Sequence, residues 1–238
     1  MINLLFSQII MESVRRLSKD GSTHVTDEVF NTCSSGIGAV LAVIGVTLLL
    51  YQAWAMHKPW HFLGFAVYGF GLISLFTLSA LHHGINGSPK TEHTLRQLDY
   101  FAIFLMIAGS ATPFCTILLR DTLSGRVVLV VLWTLSIIGI LIKGFFPNIP
   151  KWFTTGLYLG MGWVGVTVFY PAYQMINWKA DLLLAIGGLA YTGGAVLYYL
   201  EKPNPFPGKF GFHEIWHLCV LTGAATHFCV MYFFLLPY

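Results

Sequence analysis

The sequence predicts an all-α integral membrane fold: a seven-transmembrane helix bundle with its N-terminus cytoplasmic and its C-terminus outside. Three observations predict it. Of 238 residues, 56% are hydrophobic and only 10% are charged, against about 25% charged in a soluble domain, and the mean hydropathy is +0.70. A soluble protein of this size has no place to hide so much apolar surface, so the bilayer is the solvent. Seven apolar segments of spanning length recur along the chain, and the basic residues between them fall unequally on the two sides.

The segments are Gly36–Met56, Phe62–Leu81, Tyr100–Leu119, Gly125–Phe146, Trp152–Tyr170, Leu182–Leu200 and Ile215–Leu236. Each has about 19 to 22 residues, enough for a hydrocarbon core of roughly 30 Å at about 1.5 Å per helical residue. Backbone groups in lipid must be satisfied within the segment, so these are helices. Turn residues separate them: Lys58-Pro59, Asn86-Gly87-Ser88-Pro89, Ser124-Gly125, Pro147-Asn148-Ile149-Pro150, Pro171 and Pro203-Asn204-Pro205. Gly187-Gly188 and Gly193-Gly194 predict close helix approach, and Thr112-Pro113 predicts a kink in the third helix. The connections are short, so residues 31–238 form one membrane domain behind an N-terminal cytoplasmic segment, 1–30.

Orientation follows the basic residues. The N-terminal side carries nine: Arg15, Arg16, Lys19, Lys90, Arg96, Lys143, Lys151, Lys202 and Lys209. The other side carries four: Lys58, Arg120, Arg126 and Lys179. The start of the chain does not read as a signal peptide, because no basic residue precedes the apolar run Asn3 to Ile10. Residues 3 to 18 read either as an amphipathic helix on the membrane surface, with Phe6, Ile9, Ile10, Val14 and Leu17 on one face, or as a disordered tail. Cys33, Cys115, Cys219 and Cys229 form no CxxC pair, so a disulfide framework is not expected. A formal charge of +3 gives no reason to expect nucleic acid; the expected partners are membrane lipids.

On this topology the polar residues converge. His213 and His217 open the last segment four apart, on one helix face. His83 ends the second segment and Asp99 starts the third, both on the N-terminal side. Three helices thus bring metal-ligand chemistry to one depth of one leaflet. Three histidines can hold zinc with an open fourth position, where bound water reaches a pKa near ~7. Asp99 is either a fourth ligand or a hydrogen-bond partner of that water acting as general base, and the second role is preferred. Ser79 lies one turn before His83, placed to hydrogen-bond near it.

The other histidines read differently. His57 and His61 share the four-residue spacing but flank Pro59 on the opposite side, with no third ligand in view. They read as interfacial, with Trp60 as a membrane-belt residue. His24 and His93 read as loop residues, and His227 as packed or hydrogen-bonded within the bundle. His82 points about 100° away from His83 around the helix, and spacing alone does not choose between them.

Several stretches resemble the hemolysin III family, within the progestin and adipoQ receptor superfamily. Ser79-Ala-Leu-His82-His83 resembles its SxxxH motif. Asp99-Tyr-Phe-Ala-Ile-Phe-Leu-Met-Ile-Ala-Gly-Ser-Ala-Thr-Pro-Phe114 is similar to its helix 3 signature. Tyr158-Leu-Gly-Met-Gly-Trp163 resembles its helix 5 signature, and His213-Glu-Ile-Trp-His217, with His227-Phe228, its helix 7 signature. The resemblance covers residues 27 to 235. It implies an intramembrane zinc near the cytoplasmic leaflet, held by His83 rather than His82, with His213 and His217. Asp99 would contact the zinc-bound water and Ser79 would support the site. It also implies a multi-pass protein of the bacterial inner (plasma) membrane. Where the family often has a His before Gly-Ile-Gly, this chain has Ser35, outside the implied zinc set.

The resemblance supports two functional expectations. One is a metal-dependent hydrolase of lipid amides or esters, ceramidase-like, serving lipid homeostasis. In it zinc activates water and polarises the carbonyl while Asp99 takes the proton. The other is a non-enzymatic sensor, channel or pore-forming cytolysin whose zinc is structural or regulatory.

Overall fold

The computed structural model describes residues 18–20, 22, 24–168 and 174–238. Seven described helices follow one another: α1 (Glu28–Ala55), α2 (Pro59–Gly84), α3 (Pro89–Ile117), α4 (Leu123–Phe145), α5 (Lys151–Val164), α6 (Trp178–Leu200) and α7 (Phe212–Val230). A 3-10 turn, Gly165–Val168, continues α5, and a π-helix, Met231–Leu235, continues α7. Outside these, Gln174 and Met175 are helical, and the other described residues form turns, bends and irregular segments with a single bridge between Phe206 and Phe210. Six of the helices, all but α5, are long and apolar enough to cross a membrane. Except for Ser18, the expected surface helix over 3–18 lies outside the described residues, as do Tyr170 and the break at Pro171.

Polar caps set the helix starts. Asp27 accepts from the N–H groups of Val29 and Phe30, each at 3.0 Å, and Ser88 accepts from Thr91 N at 3.2 Å ahead of Pro89. These caps start two helices well before their apolar runs. α1 begins at Glu28 rather than Gly36, so Asn31, Ser34 and Ser35 are helical and buried. α3 begins at Pro89 rather than Tyr100, because residues 89–99 form a polar helical extension that hydropathy does not register. Asp99 therefore sits well inside a helix. His93 is helical too, on an exposed face, rather than in a loop.

The helices pack in a closed ring. Each touches the next, α7 returns to α1, and α3 also contacts α5. On α1, Ile37, Val40, Leu41, Ile44 and Leu48 face outward, while Gly38, Ala42, Gly45 and Leu49 face the core. Both stripes are nonpolar, so the small residues of the inner one mark a membrane helix interface. α2 and α3 approach so closely that a Cβ on Gly71 would lie 3.0 Å from Leu105 O. Of the two glycine pairs in α6, one member of each serves close packing. A Cβ on Gly187 would meet His227 and Thr226 at 2.5 Å, and one on Gly194 would meet Cys219 at 2.6 Å. Gly188 and Gly193 have nothing within 4 Å. Pro113 lies inside α3, where the adjoining Thr112 hydroxyl donates to Ala108 O at 2.8 Å and accepts from Trp133 Nε1 at 3.1 Å. All four cysteines are free.

Candidate metal centre

One end of the ring carries the last turn of α2 and the first turns of α1 and α7. Glu214 locks the starts of α1 and α7 together. Its Oε2 accepts from Gly211 N at 2.7 Å, and its Oε1 accepts from Asp27 N at 2.6 Å and Asn31 Nδ2 at 3.4 Å. This clamp, 1% exposed, satisfies N–H groups that helix starts leave unpaired and fixes the azimuth of His213 and His217 relative to α1.

His83, His213 and His217 are all buried, and their ligand atoms lie within 4.8 Å of one another. His83 Nε2 and His213 Nε2 are 3.3 Å apart. The opposite ring nitrogen of each histidine is already engaged. His83 Nδ1 lies 2.6 Å from Glu28 Oε2 and His213 Nδ1 lies 2.9 Å from Asp20 Oδ2. His217 Nδ1 lies 3.1 Å from Ser35 Oγ and 3.2 Å from Ser34 Oγ. Carboxylates can only accept, so the Nδ1 atoms of His83 and His213 carry protons and the two Nε2 atoms are left facing each other. That contact is satisfied either by one ring, as imidazolium, donating its Nε2–H to the other or by a cation between the two lone pairs. Nitrogens each about 2.0–2.1 Å from a tetrahedral ion sit roughly 3.3–3.4 Å apart, so the spacing fits ligation. Each ring is also oriented by an outer hydrogen bond, as metal-bound histidines are. The group is one that can bind a metal ion.

Asp99 and His82 lie alongside, with His82, His83 and Asp99 forming a second set within 4.8 Å. Both side chains line a cleft of about 70 Å³ that the three histidines also line. Ser79 lines it too, but its hydroxyl pairs with Ser35 Oγ at 3.0 Å, so it reaches His217 through Ser35 rather than contacting His83. Ser35 thus belongs to the shell around the ligands. An apolar cavity of about 350 Å³ adjoins the cleft, and Leu75, Ile103, Tyr158, Ala195, Trp216 and Val220 line both.

The remaining histidines stay apart. His57 adopts a positive φ of 54° in the turn between α1 and α2, and His61 lies in the first turn of α2, so no shared helical face forms. Trp60 there is exposed beneath the Arg120 guanidinium, 4.3 Å from its ring centre. His24 is exposed, and His227 Nε2 faces Leu184 O at 3.4 Å.

Sequence reasoning missed Asp20, Glu28 and Ser34. Glu28, Asn31 and Ser35 recur at helical spacing, a polar stripe that an earlier start for α1 makes visible. Asp20 carries no such signal. Burial alone would raise its carboxyl, but the His213 ring and its hydrogen bonds hold it well below the usual carboxylate range.

Comparison with known proteins is decisive on kinship. A haemolysin-III-related family model matches residues 23–228. The chain belongs to the haemolysin III family. It is 37% identical over 213 residues to Hemolysin-3 of Bacillus cereus, covering 90% of this chain and 94% of that protein. It is 34% identical over 210 residues to the Hemolysin-3 homolog of Bacillus subtilis (strain 168), covering 88% and 95%. It is also 31% identical over 176 residues to the heptahelical transmembrane protein ADIPOR2 of Oryza sativa subsp. japonica, covering 66% and 76%. Haemolysin III membership together with six apolar spans makes this a multi-pass integral membrane protein.

Proposed function

We propose that this haemolysin III protein is a zinc-dependent hydrolase of lipid amides or esters that serves membrane lipid homeostasis. One observation carries the reading. Three imidazole donors and the Asp99 carboxylate meet in a cleft that continues into an apolar cavity of about 350 Å³. Zinc held by His83, His213 and His217 would polarise a lipid carbonyl and bring water at its open position to a pKa near ~7. The residues do the rest. Asp99 accepts the proton of the attacking water and returns it to the leaving amine or alcohol. The cavity takes an acyl chain, and its neck at Tyr158, Trp216 and Ala195 holds the scissile group at the cleft. Ser34 and Ser35 keep the His217 ring turned inward, and Ser79 braces Ser35.

The protein crosses the bilayer seven times, with the metal end in the cytoplasmic leaflet. Lys151 at the start of α5 pairs with Glu201 just past the end of α6, at 3.0 Å. A chain that crosses and returns between them accounts for that pairing. The α5 helix and its 3-10 turn, Lys151–Val168, reach roughly 29 Å at helical rises, close to a hydrocarbon thickness of about 30 Å. A relative described as heptahelical agrees with the count. The nine-to-four excess of basic residues supports the orientation.

The test is metal analysis of purified native protein and of the His213→Ala/His217→Ala variant, with fatty acid release measured in native and Asp99→Asn protein. Zinc in the native chain alone, with release lost in Asp99→Asn, is expected. Equal zinc in both, or none in either, overturns the metal site. The name of the Bacillus relatives favours a second reading, a pore-forming or channel protein with regulatory zinc. Ion flux into liposomes that survives Asp99→Asn, without fatty acid release, would establish it instead.

A further inference from the structure

We propose that the described residues 18–20, 22 and 24–28 belong to a strap that supplies the outer carboxylates of the metal centre and closes its aqueous side, so that the ion exchanges only when the strap peels away. The inference rests on the metal reading above.

The strap is tied at both ends and to itself. Lys19 Nζ donates to His83 O at 2.7 Å and Ile85 O at 2.8 Å, carbonyls that the end of α2 leaves without helical partners. Asp20, its side chain 4% exposed, receives the His213 ring. Its other oxygen accepts from Ser22 N at 2.8 Å and from the Ser18 hydroxyl. Glu28 receives the His83 ring through one oxygen. Through the other it accepts from Thr26 Oγ1 at 2.6 Å and from Lys19 N at 3.2 Å. Lys19 and Glu28 thus close the segment into a loop. Farther along, the His24 ring packs edge-on against Phe212, 5.8 Å between centres. The loop lies over the end of α2 and the start of α7, the two places that provide all three ligands.

The chemistry explains why such a segment would be kept. Outer carboxylates fix the imidazole tautomer and make the inner nitrogen a better donor. Two carboxylates also balance a divalent charge in a poorly hydrated site, where an uncompensated ion is costly. Both belong to one short stretch of chain, so displacing it would strip two ligands of their supports together. Lys19 anchors the stretch without touching a ligand side chain.

The experiment follows loss of zinc to excess chelator from detergent-purified native, Asp20→Ala, Asp20→Asn and Lys19→Ala proteins, each loaded with one equivalent. Melting of the metal-free forms is recorded beside it. Asp20→Ala is expected to release zinc about 10- to 100-fold faster, the usual consequence of removing an outer partner. Asp20→Asn, which keeps a neutral acceptor, should fall between. Lys19→Ala should also release faster while still binding one equivalent. Release at the native rate in both Asp20→Ala and Lys19→Ala overturns the strap, whether or not the variants melt lower, and leaves the metal site standing. A native chain that takes up no zinc instead overturns the metal reading, and the strap with it.

Discussion

Glu214 tests how the centre should be read. His213-Glu214-Ile215-Trp216-His217 matches a helical pattern in which two histidines bind zinc and the glutamate serves as general base. The geometry gives that glutamate other work. Both its oxygens are spent on the N–H groups of Gly211 and Asp27 and on Asn31, and it does not line the cleft that Asp99 lines. Glu214→Ala would leave three N–H donors unpaired, those of Gly211, Asp27 and the Asn31 amide, at about 1–3 kcal/mol each. Glu214→Gln keeps the shape and one acceptor, so its cost is about 1–3 kcal/mol. At roughly 2–4 °C per kcal/mol for a chain of this length, Glu214→Ala should lower the melting temperature by on the order of 10 °C. The assay is thermal unfolding in detergent followed by tryptophan fluorescence, with fatty acid release expressed per folded molecule. Glu214→Gln should melt lower yet hydrolyse within a few-fold of native. Asp99→Asn should melt near native and hydrolyse at background. A Glu214→Gln protein that melts like native and has lost hydrolysis would make Glu214 the base and refute the assignment of Asp99.

Three further outcomes are expected. Glu28→Gln removes the charge behind His83 Nδ1 and should weaken metal binding about 10- to 100-fold in chelator competition. Gly194→Ala places a Cβ 2.6 Å from Cys219 and 2.9 Å from Trp216; it should cost about 1–3 kcal/mol of stability by overpacking. Its neighbour Gly193→Ala meets nothing within 4 Å, and its melting should not fall. Ala195→Trp fills the neck shared by cleft and cavity, so release from long-chain substrates should fall while metal content stays at the native value.

What could be read from the chain depended on the range of the physics involved. Spanning helices are local: about twenty apolar residues declare themselves one segment at a time. Their polar ends do not, which is why α1 and α3 start at Glu28 and Pro89 rather than at the edge of hydropathy. Capping at Asp27 and Ser88 marks those ends better than composition does. The glycine pairs show the opposite limit. Sequence marks both members as small, but which one faces a neighbour depends on rotation about the helix axis, and only Gly187 and Gly194 do. His213 and His217 were legible because helix periodicity and loop charge place them at the depth of His82 and His83, and the family motif, not spacing, chose His83 as the third. The outer partners were not, since Asp20 meets His213 across 193 residues from a segment without regular structure.

The outer partners also divide the labour among the carboxylates. His83 and His213 are backed by Glu28 and Asp20, while His217 is backed only by the hydroxyls of Ser34 and Ser35. Two supporting carboxylates and one divalent ion sum to zero charge. Had His217 also been given a carboxylate, the buried centre would carry a net negative charge, at a cost in a medium that solvates it poorly. With neutral hydroxyls at Ser34 and Ser35, Asp99 is the one carboxylate in the cleft that adds charge beyond the balanced set. Among the described residues no hydrogen bond ties Asp99 to a histidine, which suits it to the proton transfer proposed for it. The Ser35 hydroxyl thus orients His217 without adding charge beside the ion.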